Sequence, residues 1–185
     1  MRFRSPKPDF GLTGSMAQSE VFGEVKDAVE FKKWIENHTR LDFEEAIKDA
    51  KSRQPRDSDP HEPSPQFACN LHSKVMELLS LSDWERLSFF TAVGSHLDFQ
   101  HGVDAFFELE TDEGKKITVT LDVKTYESSD HNKANVYFEY PQEGLDPQAD
   151  PQKWSEKIDE VATLVVDVLH LEMLTQRKEV AHATR

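Results

Sequence analysis

The sequence predicts an α/β (α+β) fold, a central mixed, mostly antiparallel sheet with flanking helices, and three observations predict it. Ile117, Val119, Leu121 and Val123 alternate with Thr118, Thr120, Asp122 and Lys124, the period of two expected of a strand with one buried face. A second β-favouring run from Val103 to Leu109 precedes it, across a polar segment at 110–116 whose Asp112 and Gly114 suit a hairpin loop. Apolar residues recur at helical spacing through 65–80 and again after Pro151, so helices flank the strands in sequence.

Taken from the N-terminus, residues 1–18 are expected to be a disordered or vector-derived tail, with Met16 a candidate natural start. A helical extension over 19–53 follows. Its first helix, around 20–37, carries Val21, Phe22, Val25, Val29 and Ile35, and its second covers 43–52. Residues 54–65 hold Pro55, Pro60, Pro63 and Pro65 among charges, which reads as a linker. The main α/β domain is expected over 66–178, with a polar tail at 179–185. It opens with a helix whose stripe is Phe67, Leu71, Val75, Leu78 and Leu79, followed by a capping pattern at Ser82-Asp83-Trp84-Glu85. The hairpin comes next, then a polar loop at 126–133, a further strand at 134–140 and the proline-marked connection at 146–151. Trp154, Ile158, Val161, Val165 and Val168 form one stripe of the last helix, which is expected to cover a face of the sheet.

The chemistry lies at one end of the hairpin. Antiparallel pairing across 110–116 sets the entrance of the first strand opposite the exit of the second, so Asp104 faces Asp122 and Lys124. Two carboxylates with an ammonium beside them offer hard oxygen ligands suited to magnesium or manganese, and a cation held there assists phosphodiester hydrolysis.

Asp104 on one strand and Asp122-Val123-Lys124 on the next resemble the active site of the PD-(D/E)XK nucleases, the restriction-endonuclease-like family. The resemblance implies a restriction-endonuclease-like core, with Asp104, Asp122 and the Val123 carbonyl as metal ligands and Lys124 orienting and activating the attacking water. The acid of the acid-x-Lys motif is Asp here rather than the commoner Glu, and no proline precedes Asp104. That family also places an acid on a helix ahead of these strands, a part for which Glu77 is the candidate, Glu85 fitting a helix cap better. The usual family helix after the acid-x-Lys strand is replaced in this sequence by the polar segment at 126–133.

Composition bounds the functional reading. With 185 residues and 37% hydrophobic content the chain can bury one core. No apolar run approaches the ~20 residues that span a bilayer, so a soluble cytoplasmic protein with no membrane partner is expected. The single Cys69 excludes an internal disulfide and a cysteine zinc cluster. No Gly-rich phosphate loop, Gly-x-Ser-x-Gly elbow or His-Glu-x-x-His occurs, which leaves P-loop, serine-hydrolase and zinc-protease chemistry unsupported. His96, Asp98 and His101 form a small candidate metal cluster, and His101 a candidate phosphate contact.

A formal net charge of -13 repels a polyanion. Nucleic acid as a partner therefore requires a local positive patch, a metal bridge or a protein partner that supplies the contacts. The same acidity, with Trp34, Phe43, Phe99 and Phe107, supports a second class: a non-catalytic acidic interaction protein such as an adaptor, immunity protein or chaperone, or a degenerate nuclease fold used for binding.

Overall fold

The structure, a computed structural model, describes residues 14–28, 40–125 and 134–183. The tail at 1–13, residues 29–37 of the helix expected at 20–37, and the polar loop at 126–133 lie outside the described residues, and the described part of that helix ends at Phe22 instead of running on. The elements run α1 (Gly14–Phe22), α2 (Phe43–Ser52), α3 (Gln66–Leu78), a 3-10 turn (Trp84–Arg86), β1 (Leu87–Thr91), α4 (His96–His101), β2 (Ala105–Glu110), β3 (Lys116–Lys124), β4 (Val136–Glu139) and α5 (Pro151–Ala183). The architecture is mixed α+β, with one four-stranded sheet in the order β1-β2-β3-β4.

The β2–β3 hairpin forms as its alternation requires. Ala105 pairs with Leu121, Phe107 with Val119 and Leu109 with Ile117, all antiparallel. Its turn is closed by Gly114 N–H donating to the Thr111 carbonyl at 2.9 Å and Thr111 N–H donating to Lys115 at 2.8 Å. β1 adds an antiparallel neighbour to β2, with Phe89 opposite Phe107. β4 pairs with β3 in parallel, Leu121 beside Val136 and Val123 beside Phe138, so it is not a continuation of the meander. Its register is held at its start by Asn135, whose side-chain oxygen accepts from Thr120 N–H at 2.9 Å and Thr120 Oγ1 at 2.8 Å.

Each face of the sheet has its own apolar layer. Leu87, Phe89, Phe107, Val119, Leu121, Val123 and Phe138 pack against α1, α3 and α5. Phe67 lies between the layers, stacked on Phe138 at 5.9 Å and edge-on to Trp154 at 5.5 Å. On the opposite face Phe106 and Leu97 pack with Ala46 and Ala50 of α2, and Phe90 stacks on Phe106 at 5.1 Å. α2 is stopped at its start by a capping box in which Asp42 accepts from Glu45 N–H. It therefore belongs to the sheet's own packing. The proline-rich stretch after it is likewise bound down: Phe89 N–H donates to the Pro60 carbonyl at 2.7 Å, along the outer edge of β1.

α5 is the longest element, 33 residues, or roughly 50 Å at the usual helical rise. Ile158, Val161, Ala162, Val165 and Leu169 are its buried stripe. No helix among the described residues is long and apolar enough to cross a membrane.

Candidate active site

Asp104 is delivered by a sharp turn out of α4. Gly102 takes φ +66°, a left-handed conformation that disfavours side chains bearing a Cβ, and its N–H closes the helix on the Asp98 carbonyl. The chain then enters the sheet: Asp104 N–H donates to the Leu121 carbonyl at 2.8 Å, and its own carbonyl accepts from Ala92 N–H at 2.7 Å. One residue before Ala105 and one after Leu121 in this register, Asp104 and Asp122 are neighbours. Lys124 projects from the same face two residues on, with Nζ 3.4 Å from Asp122 Oδ2. The three side chains expected to converge are thus together.

Asp104 is 1% exposed and held at both oxygens. Oδ2 accepts from Val123 N–H at 2.8 Å, and Oδ1 accepts from Gln18 Nε2 at 2.9 Å. A strand residue sends its N–H and C=O to the same side, so the Val123 carbonyl faces the Asp104 edge as well. Lys124 turns the other way, its carbonyl accepting from Tyr140 N–H at 2.7 Å.

Burial pushes the Asp104 carboxyl well above the usual carboxylate range, the negative charge of Asp98 adds to this, and the Val123 N–H opposes it. Asp122 is also raised, first by burial, with the Lys124 ammonium acting in the opposite direction. The negative charge of Asp122 adds to the upward shift of Asp104, so the two carboxyls act on each other as near neighbours.

The donors suit a hard divalent ion. All are oxygens: two carboxylates whose mutual repulsion a cation relieves, and the Val123 carbonyl on the same edge. Among the described residues no group of three or more His, Cys, Asp or Glu side chains gathers for a metal. Magnesium needs no such cage, because it commonly keeps several waters and binds through one or two carboxylates together with substrate phosphates.

Other sequence candidates stand elsewhere. Glu77 is on the exposed rim of α3, paired with Lys74 at 3.2 Å, and Lys74 in turn reaches Asp159 of α5 at 3.3 Å. Its helix turns Phe67, Leu71 and Val75 into the core, which leaves Glu77 facing α5 and solvent. Glu85 lies in the 3-10 turn, where its N–H donates to Asp83. The cluster of His96, Asp98 and His101 does not assemble. His96 Nδ1 meets Asp49 Oδ2 at 3.0 Å, His101 Nε2 meets the Leu41 carbonyl at 3.1 Å, and both contacts tie α4 to the segment bearing α2. Positions five apart on a helix point about 140° apart, which separates the two rings. Asp98 instead accepts from Gly94 N–H at 2.8 Å and contributes charge near Asp104.

The residue that sequence reasoning missed is Gln18. It falls within the stretch read as a tail, yet α1 begins at Gly14 and buries Ala17, Val21 and Phe22. The signal was present in that Ala17-x-x-x-Val21-Phe22 spacing followed by Gly23, which stops the helix at φ +73°.

No family model, curated protein or solved structure matches this chain.

Proposed function

We propose that the chain is a metal-dependent nuclease that hydrolyses phosphodiester bonds of nucleic acid, with Asp104, Asp122 and the Val123 carbonyl holding magnesium or manganese. The observation that carries this reading is the pair of buried, adjacent carboxylates with Lys124 Nζ 3.4 Å from one of them. Such a pair is a poor structural device: burying like-charged groups opposes folding, and a purely structural core position is filled more stably by apolar side chains. Buried acids with raised pKa beside one specific cationic partner are the pattern expected where charge is used chemically. The reading extends to the fold, taken as a restriction-endonuclease-like core. Its support is the antiparallel β1-β2-β3 run with β4 parallel beside β3, and helices on both faces.

When bound, a divalent cation there offsets charge on the phosphoryl oxygens and lowers the pKa of a water. The residues of the chain do the rest. Asp104 and Asp122 release protons to solvent and present oxygens to the cation. Lys124, whose side chain is 22% exposed, is positioned to orient the attacking water and to place positive charge beside the phosphoryl group. Water oxygen bonds to phosphorus as its proton passes to solvent, the bond from phosphorus to the ester oxygen breaks, and a solvent proton caps that leaving oxygen.

The test is cleavage of single- and double-stranded DNA and RNA with magnesium or manganese, using wild type, Asp122→Ala and Lys124→Ala. The expected result is cation-dependent cleavage that Asp122→Ala abolishes and Lys124→Ala lowers by roughly 10²–10³-fold, as for loss of one charge-stabilising group. Cleavage equal in all three proteins, or none in any, would sink the reading.

A second reading, a non-catalytic acidic interaction protein or a nuclease-like fold used for binding, draws on one observation of its own. Leu164, Leu171 and Leu174 on α5 are 40%, 62% and 55% exposed, an apolar surface for a protein partner. Such a protein would ignore the cation.

A further inference from the structure

We propose that Gln18 is a positioning residue of the cation site, fixing the Asp104 carboxylate in the orientation in which it faces Asp122; this rests on the metal-binding reading above. The geometry of α1 sets where Gln18 points. Ala17 and Val21, both fully buried, are one helical turn apart and form the stripe that α1 lays against the sheet and α3. A helix turns about 100° per residue, so Gln18 and Glu20 flank that stripe on opposite sides. Gln18 Nε2 reaches Asp104 Oδ1 at 2.9 Å, and Glu20 Oε1 accepts from the buried Tyr140 hydroxyl at 3.0 Å. Tyr140 N–H in turn holds the Lys124 carbonyl at 2.7 Å. One short helix therefore grips both strands' ends, the Asp104 side through Gln18 and the Lys124 side through Glu20 and Tyr140.

Two donors on two oxygens determine the plane of Asp104. Val123 N–H holds Oδ2 from the sheet and Gln18 holds Oδ1 from the helix. The chemistry of the second donor matters. An amide orients a carboxylate without adding positive charge, so it does not compete with a divalent ion as Lys or Arg would. Partners of this kind behind a metal-ligating carboxylate typically change metal affinity by about 10–100-fold when removed.

The test is the manganese affinity of the full chain, measured from the electron paramagnetic resonance signal of free Mn²⁺, with the cation-free melting temperature followed in parallel. Gln18→Ala is expected to weaken the site by about 10–100-fold. Gln18→Met, which keeps the length of the side chain but has no donor, is expected to lose affinity as Gln18→Ala does. Wild-type affinity in Gln18→Ala would overturn the role of Gln18 alone. A loss in Gln18→Ala that Gln18→Met restores marks a packing role and also overturns it. Wild type without a saturable Mn²⁺ site, indistinguishable from Asp122→Asn, would overturn the metal-binding reading and the inference together.

Discussion

At the residue scale the central tension is between Asp104 and Asp122. Both carboxyls are raised by burial, so the folded chain holds protons that the unfolded chain releases at lower pH. The sign follows from linkage. Where the native state binds more protons, stability falls as pH rises, so the pair's contribution is full in acid below the ordinary carboxylate range and is lost as pH passes through the raised values. On the proposed reading a divalent cation offsets the charge of the pair and removes that loss. Asp122→Asn, which keeps a hydrogen-bonding side chain while deleting one charge, is therefore expected to raise the cation-free melting temperature at pH 8. A rise of roughly 2–4 °C is what 1 kcal/mol produces in a domain of this length. The same variant should show a flatter melting temperature between mild acid and pH 8. Thermal unfolding across that range with a chelator present checks both. A drop at pH 8 equal to that in acid would show that the carboxylate pair is stabilising and not strained.

At the element scale the hairpin and α4 decide whether the site exists. β3 supplies Asp122 and Lys124 from one strand, but Asp104 depends on the chain leaving α4 in one direction, and Gly102 sets it at φ +66°. No atom lies within 4 Å of a Cβ built at Gly102, so Gly102→Ala tests backbone conformation without a clash. A non-glycine residue held in the left-handed region costs about 1–2 kcal/mol, which corresponds to roughly 2–8 °C in a chain of this size. A measured melting temperature unchanged from wild type would mean that the exit from α4 is not under that constraint.

The same elements show what the sequence makes legible. The hairpin could be read because its alternation is strict and its loop carries the right residues, and α2, α3 and α5 because their stripes persist for several turns. β1 and α4 escaped notice. In Leu87-Ser88-Phe89-Phe90-Thr91 two adjacent phenylalanines serve opposite faces, Phe89 toward Phe107 and Phe90 onto Phe106, which hides the period of two. α4 spans only His96 to His101, too short for a periodic stripe. The direction of β4 was unreadable for another reason: Val136 and Phe138 point inward whether the strand runs parallel or antiparallel. Asp104, Asp122 and Lys124 were legible because strand periodicity alone brings them together. Gln18 was not, because its contact with Asp104 spans 86 positions and no local pattern encodes it.

At the scale of the whole molecule, the formal net charge of -13 works on cation and polyanion in opposite ways. It draws divalent ions to the surface and repels nucleic acid, so on the proposed reading phosphate is met locally through Lys124 and a bound cation. It also means that exposed acids everywhere will take up manganese weakly, and bulk binding alone cannot identify a site. The deciding measurement is the manganese anomalous difference density of crystals soaked at low manganese concentration. One strong peak is expected between the Asp104 and Asp122 carboxylates, about 2.0–2.2 Å from an oxygen of each, the spacing of small hard divalent cations, and it is expected to vanish in Asp122→Asn. Peaks confined to surface carboxylates, with none at Asp104 and Asp122, would contradict this.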